Sequence, residues 1–97
     1  MRATFATFAS LLLLANAAPD GRFYRAEPAA PPAKAQVIAG ETVWHCGADG
    51  CTAARTGARP LVDCQGLVRA VGKVKSFAVA GAPLSADQLD KCNARGH

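Results

Sequence analysis

The chain has 97 residues, a formal net charge of +4, 51% hydrophobic residues and four cysteines. A chain this short is expected to form one domain. A charge of this size is ordinary for a soluble surface and does not by itself point to a polyanionic partner.

Met1-Arg2 supplies a positive start, Ala3 to Leu14 is uncharged and mostly apolar, and Ala15-Asn16-Ala17 fits the small-x-small cleavage rule. These features predict a secretory signal peptide over residues 1–17. Cleavage falls after Ala17, because cutting after Ala18 would leave Pro19 at the new terminus. The apolar run is too short to span a bilayer, and no stop-transfer charges follow it. No cysteine follows it directly either, which argues against a lipid anchor. The expected mature chain is Ala18–His97, 80 residues with a charge of +3 and no transmembrane segment. It is exported, to the periplasm or the medium. In that setting four cysteines predict two disulfides.

Residues 18–36 read as a flexible Pro/Ala-rich N-terminal segment, ahead of a single disulfide-stapled domain over residues 37–97. Within the segment, Arg22-Phe23-Tyr24-Arg25-Ala26 alternates charge and ring as a short strand would. Glu27 to Lys34 carries three prolines and predicts an extended spacer. Gln36-Val37-Ile38-Ala39 resumes the apolar signal, with a bend or bulge at Gly40.

Thr42-Val43-Trp44-His45-Cys46 alternates as a half-buried strand, with Thr42, Trp44 and Cys46 on one face. Gly47-Ala48-Asp49-Gly50 suits a hairpin loop and leaves Cys46 opposite Cys51, with Trp44 packed on the bridge. Ala54 to Arg59 reads as a mobile loop. Pro60 opens a helix whose apolar stripe is Leu61, Cys64, Leu67, Val68 and Val71; Gly66 weakens it and Gly72 ends it. Val74 to Ala80 is a strand by composition, with Val74 expected on the face opposite Phe77, and Gly81-Ala82-Pro83 is a turn. Ser85 is the N-cap of a second helix with Gln88 completing a capping box, and Leu84 staples to Leu89. That helix runs to about Asn93, Cys92 lies on its apolar side, and Ala94 to His97 frays.

Four cysteines allow three connectivities, and sequence does not choose among them. Local geometry favours Cys46–Cys51 with Cys64–Cys92. The fold class is α+β: a small, mostly antiparallel sheet with two helices on one face, stapled by those two disulfides.

Val37-Ile38-Ala39-Gly40, Val43-Trp44-x-Cys46, Cys51, Arg59-Pro60-Leu61-x-x-Cys64, Val74-x-x-Phe77 and Leu89-x-x-Cys92-Asn93 form one pattern. It resembles a family of small, uncharacterised exported proteins of alphaproteobacteria with four cysteines. The resemblance implies a secreted single domain and says nothing about chemistry.

No catalytic set is legible, so no enzyme activity is expected. The seven carboxylates are scattered over turns, caps and helix surfaces, and His45 and His97 are the only histidines. Cys46-x4-Cys51 with Cys64, Cys92, His45 or His97 would make a loose zinc set. The spacing lacks a second tight pair, and an oxidising compartment converts thiolates to disulfides, so no metal and no cofactor is expected. Redox and haem motifs built on Cys-x-x-Cys are absent.

The expected function is that of a non-catalytic exported domain acting through protein contacts or as an envelope accessory. Its partner would be another envelope protein. The alternative is electrostatic binding of an anionic envelope component, such as a lipid headgroup, lipopolysaccharide or nucleic acid, through Arg55, Arg59, Arg69, Lys73 and Lys75. Specific nucleic-acid recognition is not expected, because only Phe77 offers a ring near those charges.

Overall fold

The computed structural model describes residues 20–96, so the leader over residues 1–17 and the terminal His97 lie outside the described residues. Six strands form one sheet: β1 (Tyr24–Pro28), β2 (Gln36–Ala39), β3 (Thr42–Gly47), β4 (Gly50–Ala53), β5 (Val74–Val79) and β6 (Ala82–Pro83). Helices α1 (Pro60–Val71) and α2 (Ala86–Asn93) complete the fold. Every strand pair is antiparallel, in the order β2-β3-β4-β1-β5-β6.

The N-terminal segment corrects the expected boundary at residue 37. Tyr24–Pro28 is an interior strand, inserted between β4 and β5. Tyr24 and Ala26 are buried while Arg25 and Glu27 are exposed, so the alternation of Tyr-Arg-Ala-Glu is that of a half-covered strand. The neighbouring prolines do not prevent this: Pro28 is the last residue of the strand, opposite Val74 at a bulge, and Pro31-Pro32 belong to the connection that follows. That connection is itself tied down: Ala29 donates its N–H to the carbonyl of Lys73 at 2.9 Å.

The inward residues of four strands and two helices make the core. Tyr24, Trp44 and Phe77, from β1, β3 and β5, stand with ring centroids 5.6–5.9 Å apart. Such aromatic contacts add about 0.5–1.5 kcal/mol each beyond area burial. Leu67 and Val68 of α1 close over them, as the expected stripe requires. Val74 and Phe77 are both buried although they are three apart, contrary to the expected opposite faces. A bulge explains it: Ser76 pairs with Glu27 and Val74 with Pro28, leaving Lys75 as the extra residue.

Both disulfides are those expected. Cys46 pairs directly with Cys51 across the hairpin, Cα–Cα 4.0 Å, while Cys64 of α1 joins Cys92 of α2, Cα–Cα 5.7 Å. Ser85 caps α2, accepting the N–H of Gln88 at 3.2 Å. Gly40 (φ +63), expected at a bend or bulge, makes the tight β2–β3 turn. Two local expectations change. The turn after β5 is Ala80-Gly81, both with positive φ, which frees Ala82-Pro83 to pair as β6. The C-terminus does not fray before Gly96, whose N–H donates to the carbonyl of Asn93 at 2.9 Å.

Two glycines have opposite reasons to exist. At Gly50 (φ +118) a Cβ would lie 2.5 Å from the carbonyl oxygen of Ala26, so both conformation and space demand glycine. At Gly66, inside α1, a Cβ would meet only the Ala39 methyl, at 3.7 Å. Gly50→Ala is therefore expected to destabilise by more than about 1 kcal/mol. Gly66→Ala is expected to stabilise by about 0.5–1 kcal/mol, both read by urea unfolding.

Candidate functional site

The helices cover one face of the sheet only. On the other, register aligns Gln36, His45, Thr52, Arg25, Ala78 and Pro83 in one row across all six strands. Beside that row lies the cross-strand pair Ile38 and Val43, 67% and 39% exposed and the largest apolar side chains open to water on this face. His45 stands on the open face, away from buried Trp44, as its place in the alternation requires. Arg25 is held there by donation from its guanidinium to the Asp49 carbonyl at 2.9 Å.

The open face ends at strand β2. Cys46 donates its N–H to the carbonyl of Ala35 at 2.7 Å, which sets the phase of the β2–β3 ladder. Alternate residues Val37 and Ala39 therefore turn their backbone groups towards β3, and Gln36 and Ile38 turn theirs outward. A groove of about 560 Å³ follows this edge on the helix side, between Pro31-Pro32, Val37 and the end of α1 at Ala70-Val71.

At the other end of α1, beside the β2–β3 turn, lies a buried polar cluster that sequence reading missed. Asp63, expected on a helix surface, is only 8% exposed. Its carboxylate accepts from the Thr42 hydroxyl of β3 at 3.1 Å and from the Thr56 hydroxyl of the loop before α1. The loop expected to be mobile is thus tied to the first turn of α1, where the helix dipole also favours an acid. The Thr42 partner, 21 residues away, leaves no local signal.

Tyr24 borders the cluster, and its phenol is pushed above the ordinary 10.0, first by burial, then by a hydrogen bond to Asp63 and its negative charge. A raised phenol pKa stabilises the fold fully below pH 10, and the contribution is lost as pH rises through the folded value. Tyr24 is the only tyrosine, so one phenolate absorbance titration reads it. The folded protein should titrate above pH 10, the urea-unfolded protein near 10, and Asp63→Asn should bring the folded value down without normalising it.

The five basic residues do not converge. Arg55 follows β4 at the Tyr24 end of the sheet, its guanidinium 5.2 Å from the centre of the Phe23 ring. Arg59 precedes α1, at the same end. Arg69 lies in the last turn of α1, Lys73 follows that helix, and Lys75 sits in the β5 bulge at the Pro28 end. Along α1, Arg59 and Arg69 stand ten residues apart, roughly 15 Å. All five are exposed.

The four cysteines are all in disulfides, so none is a thiolate open to a metal. Asn93 is another residue whose role the sequence hid. Its side-chain amide accepts from the N–H of Val74 and donates to the carbonyl of Val74, both at 2.9 Å, clamping α2 to the start of β5. The disulfide at Cys92 fixes the helix that presents it.

A protein-family model described as a family of unknown function (DUF8200) matches residues 6–94. The chain belongs to this family. Two disulfides over a six-stranded antiparallel sheet and a helix pair are the form the chain takes. No curated protein and no solved structure matches it.

Proposed function

We propose that the chain is an exported, non-catalytic domain that works through protein contacts, of the alphaproteobacterial kind its sequence resembles. The observation that carries this reading is the uncovered sheet face. Ile38 and Val43 remain in water although a second layer would bury them, and among the described residues the strand beneath Ile38 has an unpaired edge. Contiguous exposed apolar side chains beside a free edge are features of contact surfaces.

Export is supported by the apolar leader and by two disulfides, which persist in oxidising compartments. Among the described residues, no helix is long and apolar enough to cross a membrane. The non-catalytic reading rests on how the ionisable groups are used. Asp63, the one buried carboxylate among the described residues, is committed to two threonine hydroxyls, and His45 stands on the open face. The separation of Arg55 and Arg59 from Arg69, Lys73 and Lys75 weakens the alternative of one anion-binding patch, because each group alone holds few charges.

A photo-cross-linking residue placed at Val43 should trap a defined protein in the cell envelope, whereas the same residue at Asp87 on α2 should trap none. Equal labelling from both positions would remove the sheet face as the contact surface. Robust turnover of a hydrolase substrate by the purified protein, abolished by Asp63→Asn, would overturn the non-catalytic reading.

A further inference from the structure

Edge strands of stable sheets are blunted by proline, by charge, by bulges or by a covering element, because an open edge invites pairing with another chain. The two edges of this sheet are treated differently. Strand β6 is two residues long, Ala82-Pro83. Leu84 donates to the carbonyl of Phe77, so the β6 position that faces outward is Pro83, which has no N–H. Among the described residues, strand β2 itself carries none of these protections, and Pro31-Pro32 line a groove beside it without pairing with it. Gln36-Val37-Ile38-Ala39 contains no proline, glycine or charge, and pairs in regular register with β3. Among the described residues, no backbone group bonds to its outer side.

We infer that β2 pairs antiparallel with β2 of a second copy of this chain, giving a closed two-fold dimer with a continuous sheet. The inference rests on the reading of the chain as a protein-contact domain and names the partner as the chain itself. The phase of the strand settles the register. Only Gln36 and Ile38 present outward backbone groups, so a dyad at Val37 sets Gln36 of each copy against Ile38 of the other, and each such pair exchanges both N–H···O bonds. On the open face the two Ile38 side chains become diagonal neighbours, beside each Val43. On the helix side, the two grooves lined by Val37, Ala70 and Val71 meet at the dyad.

Charge agrees with the antiparallel sense. Lys34 precedes β2 and Glu41 follows it, both exposed, and the strand between them is uncharged. Antiparallel pairing brings Lys34 of each copy to the end that carries Glu41 of the other, whereas parallel pairing would set like charges together. Growth stops at two copies, because Pro83 closes the other edge of each sheet and an isologous contact uses β2 on both subunits.

The test is sedimentation equilibrium of the purified protein over a wide concentration range, with amide exchange read at Gln36 and Ile38. A reversible dimer is expected, with exchange at both amides slowing as concentration rises. Ile38→Pro removes one outward N–H and a side chain that is 67% exposed, so it should leave the far-UV spectrum of the monomer intact and raise the dissociation constant at least about tenfold. Lys34→Glu and Glu41→Lys should each weaken the dimer several-fold, and the double exchange should restore it. This rescue does not depend on how the proline variant folds. A protein that stays monomeric at millimolar concentration overturns the proposal, as does a dimer indifferent to Ile38→Pro and to the charge exchange. A monomer that still cross-links a different envelope protein from Val43 would overturn the dimer alone. A monomer that cross-links nothing would overturn the contact reading as well.

Discussion

The contact of Tyr24, Trp44 and Phe77 is the interaction on which the rest of this structure depends. The three rings come from β1, β3 and β5, strands distant in sequence, and they bring to one place the residues that the two helices must cover. Burying an aromatic side chain contributes about 1.5–3 kcal/mol, a large share of the net stability of a domain this small. The ring of Tyr24 also sets the place of β1. Because Tyr24 must reach both partners, its strand lies inside the sheet, and β4 and β5 pair with its two sides.

Two disulfides then secure what the core alone would hold weakly. Cys46–Cys51 fixes the register of a hairpin whose inner face carries Trp44. Cys64–Cys92 binds the helices to each other across 28 residues of chain, about 3.5 kcal/mol in the chain-entropy account. Asn93, next to that bridge, adds two hydrogen bonds to the backbone of Val74 and so ties the helix pair to the sheet. The Asp63 cluster does the same at the other end, where hydroxyls of β3 and of a loop converge on one carboxylate.

Among the described residues, a core built this way uses one face of the sheet and leaves the other bare. Eight residues of α2 and 12 of α1 are enough to cover the inward side chains but not to wrap the sheet. The open face, the groove beside β2 and the unblocked edge of that strand are consequences of the same economy of chain. They are also what remains for the molecule to use, since the buried carboxylate of Asp63 is engaged in holding the fold.

Much of this was legible in the sequence because the signals were local. The hairpin at Cys46–Cys51, the capping of α2 by Ser85 and the apolar stripe of α1 follow from alternation, helical spacing and turn chemistry, which act over a few residues; they favoured the pairing of the cysteines without choosing it. A short strand at Arg22–Ala26 was equally visible, but whether it docks, and that it extends through Glu27 and Pro28, depends on partners in β4 and β5 that local pattern does not name. For the same reason only the tertiary structure decided that Asp63 is buried beneath Thr42 and Thr56, and that a bulge at Lys75 turns Val74 and Phe77 to one side. It likewise decided that the basic residues part to opposite ends of the sheet. Local propensity determines which elements form; which of their faces meet is decided by burial and hydrogen bonding across the chain, and with it which edge is left open.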